Sequence, residues 1–268
     1  MTSDCSVFVG NSDLTFKNAV GVGAIRGKEF HEYHEILLFI NGNVEFFSEK
    51  IHTILSPDSI VIIPKESYHQ FIIKSDEESY RRCVFNFYSI PMLEDSIKKC
   101  MREVAIVTLT PRLKLLFEKA IEISVDDLCE DEKLFILSSV LSIIVSELST
   151  QSHQSLPAVT YNAVVISCVE YVNAHLCEPL SISDIAKHLN VSVSSLTHSF
   201  KRDMNISLYR YILKKRLVLA EQKILAGESA QKTALDCGFG DYSGFYKQYK
   251  KTFGTAPSEK NRGQHTLN

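Results

Sequence analysis

Between residues 30 and 90 the apolar residues come in short runs, each closed by turn-forming residues. Glu35 to Ile40, Val44 to Phe47, Ile51 to Leu55, Ile60 to Ile63, Gln70 to Ile73 and Cys83 to Tyr88 all have the length and makeup of strands. Asn41-Gly42 is a hairpin signal, and Ser56-Pro57-Asp58 is a second turn. Six closely spaced strands uninterrupted by a helical pattern predict a small β-barrel or sandwich. From residue 91 to 150 the period changes. Leu134, Leu137, Leu141, Ile144 and Leu148 recur at steps of 3, 4, 3 and 4, and Leu113, Leu116, Phe117, Ala120 and Ile121 form an earlier stripe. Both predict helices. The later stripe has the stepping of a helix seam, able to pair with a second copy of the chain or to pack on the barrel. Gln151 to Ser155, followed by Pro157, is polar and aperiodic, so 151–159 reads as a linker.

From Tyr161 onward the pattern is helical. Ser181-x-x-Asp184 resembles a capping box opening a helix from Ile182 to Leu189, Asn190-Val191 makes a tight turn, and Ser192 caps a second helix through Lys201. A long helix from about Ser207 to Ala226 stops at Gly227, and a second helix, turn and helix fill 229–252 with Gly238 at the turn. In the first pair Ile182, Ile185, Ala186, Leu189, Val191, Leu196 and Phe200 face inward, which leaves Ser194, Thr197, His198 and Lys201 outward. In the second, Ala234, Cys237, Phe239, Phe245 and Tyr249 face inward, and Tyr242, Ser243, Tyr246, Lys247 and Lys250 face outward. One such pair fits any amphipathic helix packing. Two pairs separated by a helix of roughly 30 Å match the ~34 Å turn of B-DNA, so both second helices could enter successive major grooves.

These elements give an α+β chain in two domains. Residues 1–150 hold a barrel (about 30–90) and helices (about 91–150), 151–159 the linker, and 160–268 an all-α domain with two helix-turn-helix units. Charge divides the same way. Residues 1–159 carry 15 Lys+Arg against 23 Asp+Glu, a net of −8; residues 160–268 carry 14 against 9, a net of +5, and the two sum to the chain's −3. Only the C-terminal half is suited to a polyanion. Seven scattered cysteines without a Cys-x-x-Cys pair argue for reduced thiols in a cytoplasm, against a disulfide framework or a zinc finger. The N-terminus lacks the pattern of a signal peptide, and the longest apolar run, Leu134 to Val145, is broken by serines and short of the ~20 residues that span a bilayer. A cytoplasmic protein without membrane contact is expected.

The stretch Gly238-Phe-Gly-Asp-Tyr-Ser-Gly-Phe-Tyr-Lys-Gln-Tyr-Lys-Lys-Thr-Phe-Gly-Thr-Ala-Pro257 resembles the signature of the AraC/XylS family of bacterial transcription regulators. The resemblance continues upstream through Leu180-Ser-Ile-Ser-Asp-Ile-Ala186, Ser192, Leu196, Phe200-Lys201, Tyr211-Ile212 and Arg216-Leu217, and covers about residues 165–257. It implies a DNA-binding regulator rather than an enzyme, most often an activator. Such a protein touches RNA polymerase, forms a homodimer, and is controlled by a small effector or a partner acting on the N-terminal domain. By resemblance, base readout falls on Ser194, Thr197 and His198, and on Tyr242, Ser243, Tyr246 and Lys247. Phosphate contacts fall on Ser192, Lys201, Arg202, Lys214, Lys215, Lys250 and Lys251. None of the readout residues is an Arg, Asn or Gln, and tyrosine rings with a threonine methyl suit thymine methyls, which points to A·T-rich sites. Ala230 and Thr233 stand where the family has larger aliphatic residues, so loose packing is expected there.

The N-terminal segment from His31 to Gly42, with Leu55 to Pro64 and His69, resembles the cupin-like sensing domain of the same family. His31, His34, Glu35 and His69 form a candidate effector-contacting cluster. Their spacing departs from the His-x-His and later Glu of metal-binding cupins, so neither a metal nor another cofactor is predicted. Ile36, Leu38, Phe46, Ile60, Ile62, Phe71, Ile73, Phe85 and Phe87 are expected to line the barrel interior. The competing reading is a cupin-type metal-dependent enzyme or binding protein with an accessory helical domain, which needs a metal triad and a polar interior.

Overall fold

Every strand expected between residues 30 and 90 forms, but the strands do not close into one barrel. A computed structural model describes residues 7–21, 30–74, 80–90, 93–150 and 161–260. The expected strands are β3 (His34–Asn41), β4 (Val44–Ser48), β5 (His52–Ile54), β6 (Ser59–Ile63), β7 (His69–Ile73) and β8 (Arg81–Phe87). Three more were not foreseen: β1 (Val7–Gly10), β2 (Leu14–Val20) and β9 (Ala105–Thr108). They build an antiparallel six-stranded sheet in the order β1-β2-β8-β3-β6-β9 and a separate three-stranded sheet, β5-β4-β7. Strand β9 interrupts the segment read as helical, because Ala105-Ile-Val-Thr108 is too short to show a period and its β-branched residues favour a strand.

The Asn41-Gly42 turn forms, with Gly42 at φ +130°, yet it closes no hairpin. Strand β3 pairs with β6 and β8, while β4 pairs with β5 and β7, so the turn passes the chain from one sheet to the other. The expected interior was also out of phase. Along β3 and β6, Ile36, Leu38, Ile60 and Ile62, with Phe85 and Phe87 of β8, join a core with the helices. The face between the two sheets is built instead from their neighbours Leu37, Phe39, Val61, Ile63 and Val84, packed with Phe46, Phe71 and Ile73. Because side chains alternate along a strand, a one-residue error of phase exchanges the faces. A sheet buried on both faces offers no polar position by which to fix that phase.

Helices α1 (Glu94–Cys100), α2 (Pro111–Val125) and α3 (Glu130–Thr150) cover the outer face of the larger sheet. Thr110 caps α2 by accepting from the Leu113 amide. On α3, Leu137, Leu141, Ile144 and Leu148 are at most 1% exposed and pack with Phe85, Leu113 and Phe117; Leu134 is partly buried at the edge of the same cluster. Of the two readings left open for this stripe, a seam with a second copy or packing within the chain, the burial against α2 and the sheet is the one seen here. Helix α3 is long and apolar enough to cross a membrane by length and composition.

The chain divides into two compact units, Met1–Thr160 and Tyr161–Asn268. The linker expected at 151–159 lies outside the described residues. In the second unit the chain forms α4 (Ala163–Ala174), α5 (Ile182–His188), α6 (Val193–Met204), α7 (Leu208–Leu225), α8 (Ala230–Asp236), α9 (Tyr242–Phe253) and α10 (Pro257–Lys260).

Candidate functional site

The caps expected at Ser181 and Ser192 form, and Ser207 and Asp241 cap two further helices of the second unit. Ser181, Ser192, Ser207 and Asp241 accept, respectively, from the amides of Asp184, Ser195, Arg210 and Gly244. The two short-helix pairs then repeat each other closely. Helices α5 and α8 each have 7 residues, and α6 and α9 each have 12. Each turn is made the same way. The amides of Asn190 and Gly238 donate three residues back, to Lys187 and Leu235. Those of Val191 and Phe239 donate five back, to Ala186 and Ala234. The turning residues have φ +54° (Asn190) and +81° (Gly238). Thus an Asn and a Gly perform one backbone manoeuvre, and an apolar residue follows each.

Most of the inward positions are buried, while Ile182, Leu189, Val191 and Phe239 are half-buried. Ile185, Ala186, Leu196 and Phe200 are buried, and the Phe200 ring lies 5.3 Å from that of Tyr211 on α7. In the second pair Ala234, Cys237, Phe245 and Tyr249 form one cluster with Leu217, Ala220 and Ile224. Under it, the buried carboxylate of Glu221 accepts from the Tyr249 hydroxyl, which fixes the roll of α9 on α7. Thr233 is fully buried with an unpartnered hydroxyl, the cost of a polar group where an aliphatic one was expected.

Ser194, His198, Lys201, Ser243, Lys247, Lys250 and Lys251 lie exposed on the outer faces of α6 and α9, with Thr197 and Tyr246 partly so. The Thr197 hydroxyl donates back to the Val193 carbonyl at 2.9 Å, so it is engaged within its own helix. Tyr242 is half-buried, its ring 5.9 Å from Phe245 and 6.3 Å from Tyr246. Several expected phosphate contacts are already engaged. The Ser192 hydroxyl serves its cap, and Arg202 pairs with Asp203 at 2.6 Å. Lys215 donates to Asn173 at 2.6 Å, and Lys214 is half-buried, with burial pulling its pKa down. Both lysines belong to α7 rather than to α6 or α9.

Arg216 carries part of the family resemblance, but its role is visible only in the folded chain. From α7 its guanidinium donates to three backbone carbonyls: Leu176 at 2.8 Å, Glu178 at 2.6 Å and Gly238 at 2.7 Å. It ties the loop after α4 to the turn of the second pair. A Cβ built on Gly238 would stand 2.8 Å from its central carbon.

In the first unit, His31, Glu35 and His69 converge, each buried, with one ligand-type atom from each within 4.8 Å of the others. His34 does not join them. It neighbours Glu35 on β3, points to the opposite face and sits 5.5 Å from the Phe87 ring. Burial holds His34 at a pKa of about 4, helped by Lys65 and His31. Burial, reinforced by His31, does the same to His69. For Glu35, burial pushes the carboxyl up, but His31, His69 and Arg82 outweigh it and leave the pKa lowered.

Comparison with known proteins places these features. A family profile described as a helix-turn-helix domain matches residues 185–263. The chain is 24% identical over 242 residues to the transcriptional activator RhaR of Mannheimia succiniciproducens, spanning 85% of this chain and 84% of that one. It is 31% identical over 136 residues to the regulator GbdR of Pseudomonas aeruginosa, spanning 46% of this chain and 37% of that one. Among solved structures it is similar to an AraC-type DNA-binding regulator from Chromobacterium violaceum, at 29% identity and a TM-score of 0.34, covering 38% of this chain and 91% of the other. The helix-turn-helix match runs from within α5 to α10, and over most of its length the chain is similar to bacterial transcription regulators of the AraC type.

Proposed function

We propose that α5–α6 and α8–α9 act as two helix-turn-helix units that read one face of a DNA duplex. The observation that carries this is their equivalence: same helix lengths, same turn, and a polar outer face on the second helix of each. Helix α7 joins them with 18 residues, roughly 27 Å of rise, within reach of the ~34 Å between successive major grooves. Ser194, the Thr197 methyl and His198 read bases in one groove. Ser243, Tyr246 and Lys247 read them in the next, with Tyr242 bracing Tyr246. Lys201, Lys250 and Lys251 take phosphates, and Ser192, Arg202, Lys214 and Lys215 assist only where their present partners release them. The first unit, a cupin-like sensing domain, passes a small-effector or partner signal to this reader. The chain works in the bacterial cytoplasm as an activator that touches RNA polymerase, as a homodimer whose contact surface lies outside the buried α3 stripe.

Gel-shift titration across a salt series tests the assignment. Lys250→Ala with Lys251→Ala should weaken binding to every sequence and flatten the slope of log K against log salt by about 2, near 0.9 per lost phosphate contact. His198→Ala or Tyr246→Ala should instead relax preference at particular base pairs, by about 1–3 kcal/mol each. Equal losses at all sites from either readout variant would remove that residue from base recognition.

A further inference from the structure

We propose that His31, Glu35 and His69 form a binding site for one divalent transition-metal ion, with zinc as the reference ion. The inference goes beyond DNA recognition and does not depend on it. His31 Nδ1 lies 2.7 Å from the Tyr33 carbonyl, and His69 Nδ1 lies 3.2 Å from the Ser67 carbonyl. A carbonyl only accepts, so each Nδ1 carries hydrogen. In a neutral imidazole each Nε2 is then a lone pair. His31 Nε2 is buried, has no hydrogen-bond partner, and stands 3.3 Å from Glu35 Oε2. In that tautomer two acceptors meet at a distance that a proton or a metal ion can bridge.

The dimensions suit a metal. Two donors each about 2.05 Å from a tetrahedral ion stand about 3.3 Å apart, the spacing of His31 and Glu35. The remaining separations, all within 4.8 Å, close with small side-chain rotations. The backbone carbonyls on both Nδ1 atoms are the outer contacts that orient ligating histidines. The His31 ring is further held by stacking on Tyr33 at 4.0 Å and by an edge contact with His69 at 4.7 Å. Two imidazoles and one carboxylate select a borderline ion such as zinc over calcium or magnesium, which prefer oxygen, and leave a coordination position open. The ligands also come from different sheets: Glu35 from β3, His69 from β7. An ion there would staple the two sheets together, so its arrival would register as stability of the first unit.

The test uses the full chain with Cys5, Cys129 and Cys177 changed to Ser, which removes competing thiolates. The protein is stripped with chelator, dialysed against zinc, and examined by elemental analysis and thermal unfolding. The expected result is one zinc per chain and a rise in Tm of about 5–10 °C at a hundredfold excess over Kd, with no response to calcium. His69→Gln and Glu35→Gln should each weaken zinc binding at least tenfold. Failure to retain zinc, or undiminished retention in both variants, overturns the site; a proton shared by His31 and Glu35 then occupies the gap. Because those substitutions touch buried positions, cobalt added to the chain with its site intact gives a second readout. Visible absorption of a four-coordinate ion with nitrogen and oxygen donors supports the site, and its absence counts against it.

Discussion

Replacing Leu141 with Lys should abolish folding of the first unit rather than produce a folded monomer. Leu141 is 1% exposed in a core shared by α2, α3 and the outer face of the larger sheet. Removing the side chain alone, as Leu141→Ala, costs about 2–5 kcal/mol through lost transfer energy and the cavity left behind. An ammonium at the same depth adds desolvation without a partner, which takes the loss past the ~5–15 kcal/mol total stability of many domains. The control lies six residues earlier on the same helix. Phe135 is 74% exposed, and Phe135→Lys should leave folding within about 0.5 kcal/mol of the parent. Size-exclusion chromatography and circular dichroism of both variants decide the matter. A soluble, helical, monomeric Leu141→Lys protein from a dimeric parent would mean that the stripe joins two chains after all.

Arg216→Met should lower the stability of the second unit by about 2–4 kcal/mol and weaken DNA binding at least tenfold. A charged donor adds about 1.5–3 kcal/mol per hydrogen bond, and three such bonds on one group do not sum, since the half-exposed carbonyls regain water in the variant. Methionine keeps most of the stem's apolar contact, so the loss isolates the guanidinium. Lysine should rescue little, because a single ammonium cannot serve three carbonyls set around a planar fork. Urea unfolding followed by far-ultraviolet dichroism measures the first effect, and gel-shift titration at one salt concentration the second. Unchanged values in both would show that water replaces the clamp at no cost.

The two halves of the chain were unequally legible. In the second unit, caps at Ser181 and Ser192, turns at Asn190 and Gly238, and period-3.6 stripes all point to one arrangement, and the helices lie within a few residues of the expected bounds. Local signals suffice because the contacts are local. In the first unit existence was readable and pairing was not. Asn41-Gly42 turns the chain, but only the register of β6, β8 and β7 reveals that β3 and β4 part company there. Strands β1 and β2 escaped notice because Thr15, Lys17 and Asn18 dilute their apolar positions. Their joining turn, held by Asn11 accepting from the amides of Asp13 and Leu14, was the available signal. At the sites, exposure of the readout residues on α6 and α9 followed from the helical period. The division of His34 from Glu35 needed only strand alternation, while the approach of His69 to His31 depends on how two sheets stack.

The two matching turns are also unequal in what they permit to change. Asn190 and Gly238 adopt the same left-handed backbone, and at Asn190 a side chain is already accommodated. At Gly238 even a methyl group would meet the Arg216 guanidinium at 2.8 Å, and that group is held by three carbonyls and cannot swing aside. Mutational drift is therefore open at the first turn, to aspartate or glycine among residues that tolerate positive φ. At the second it is closed unless position 216 changes in step. A library randomised at both codons and selected for DNA binding should recover several residues at 190 and glycine alone at 238 while Arg216 stands.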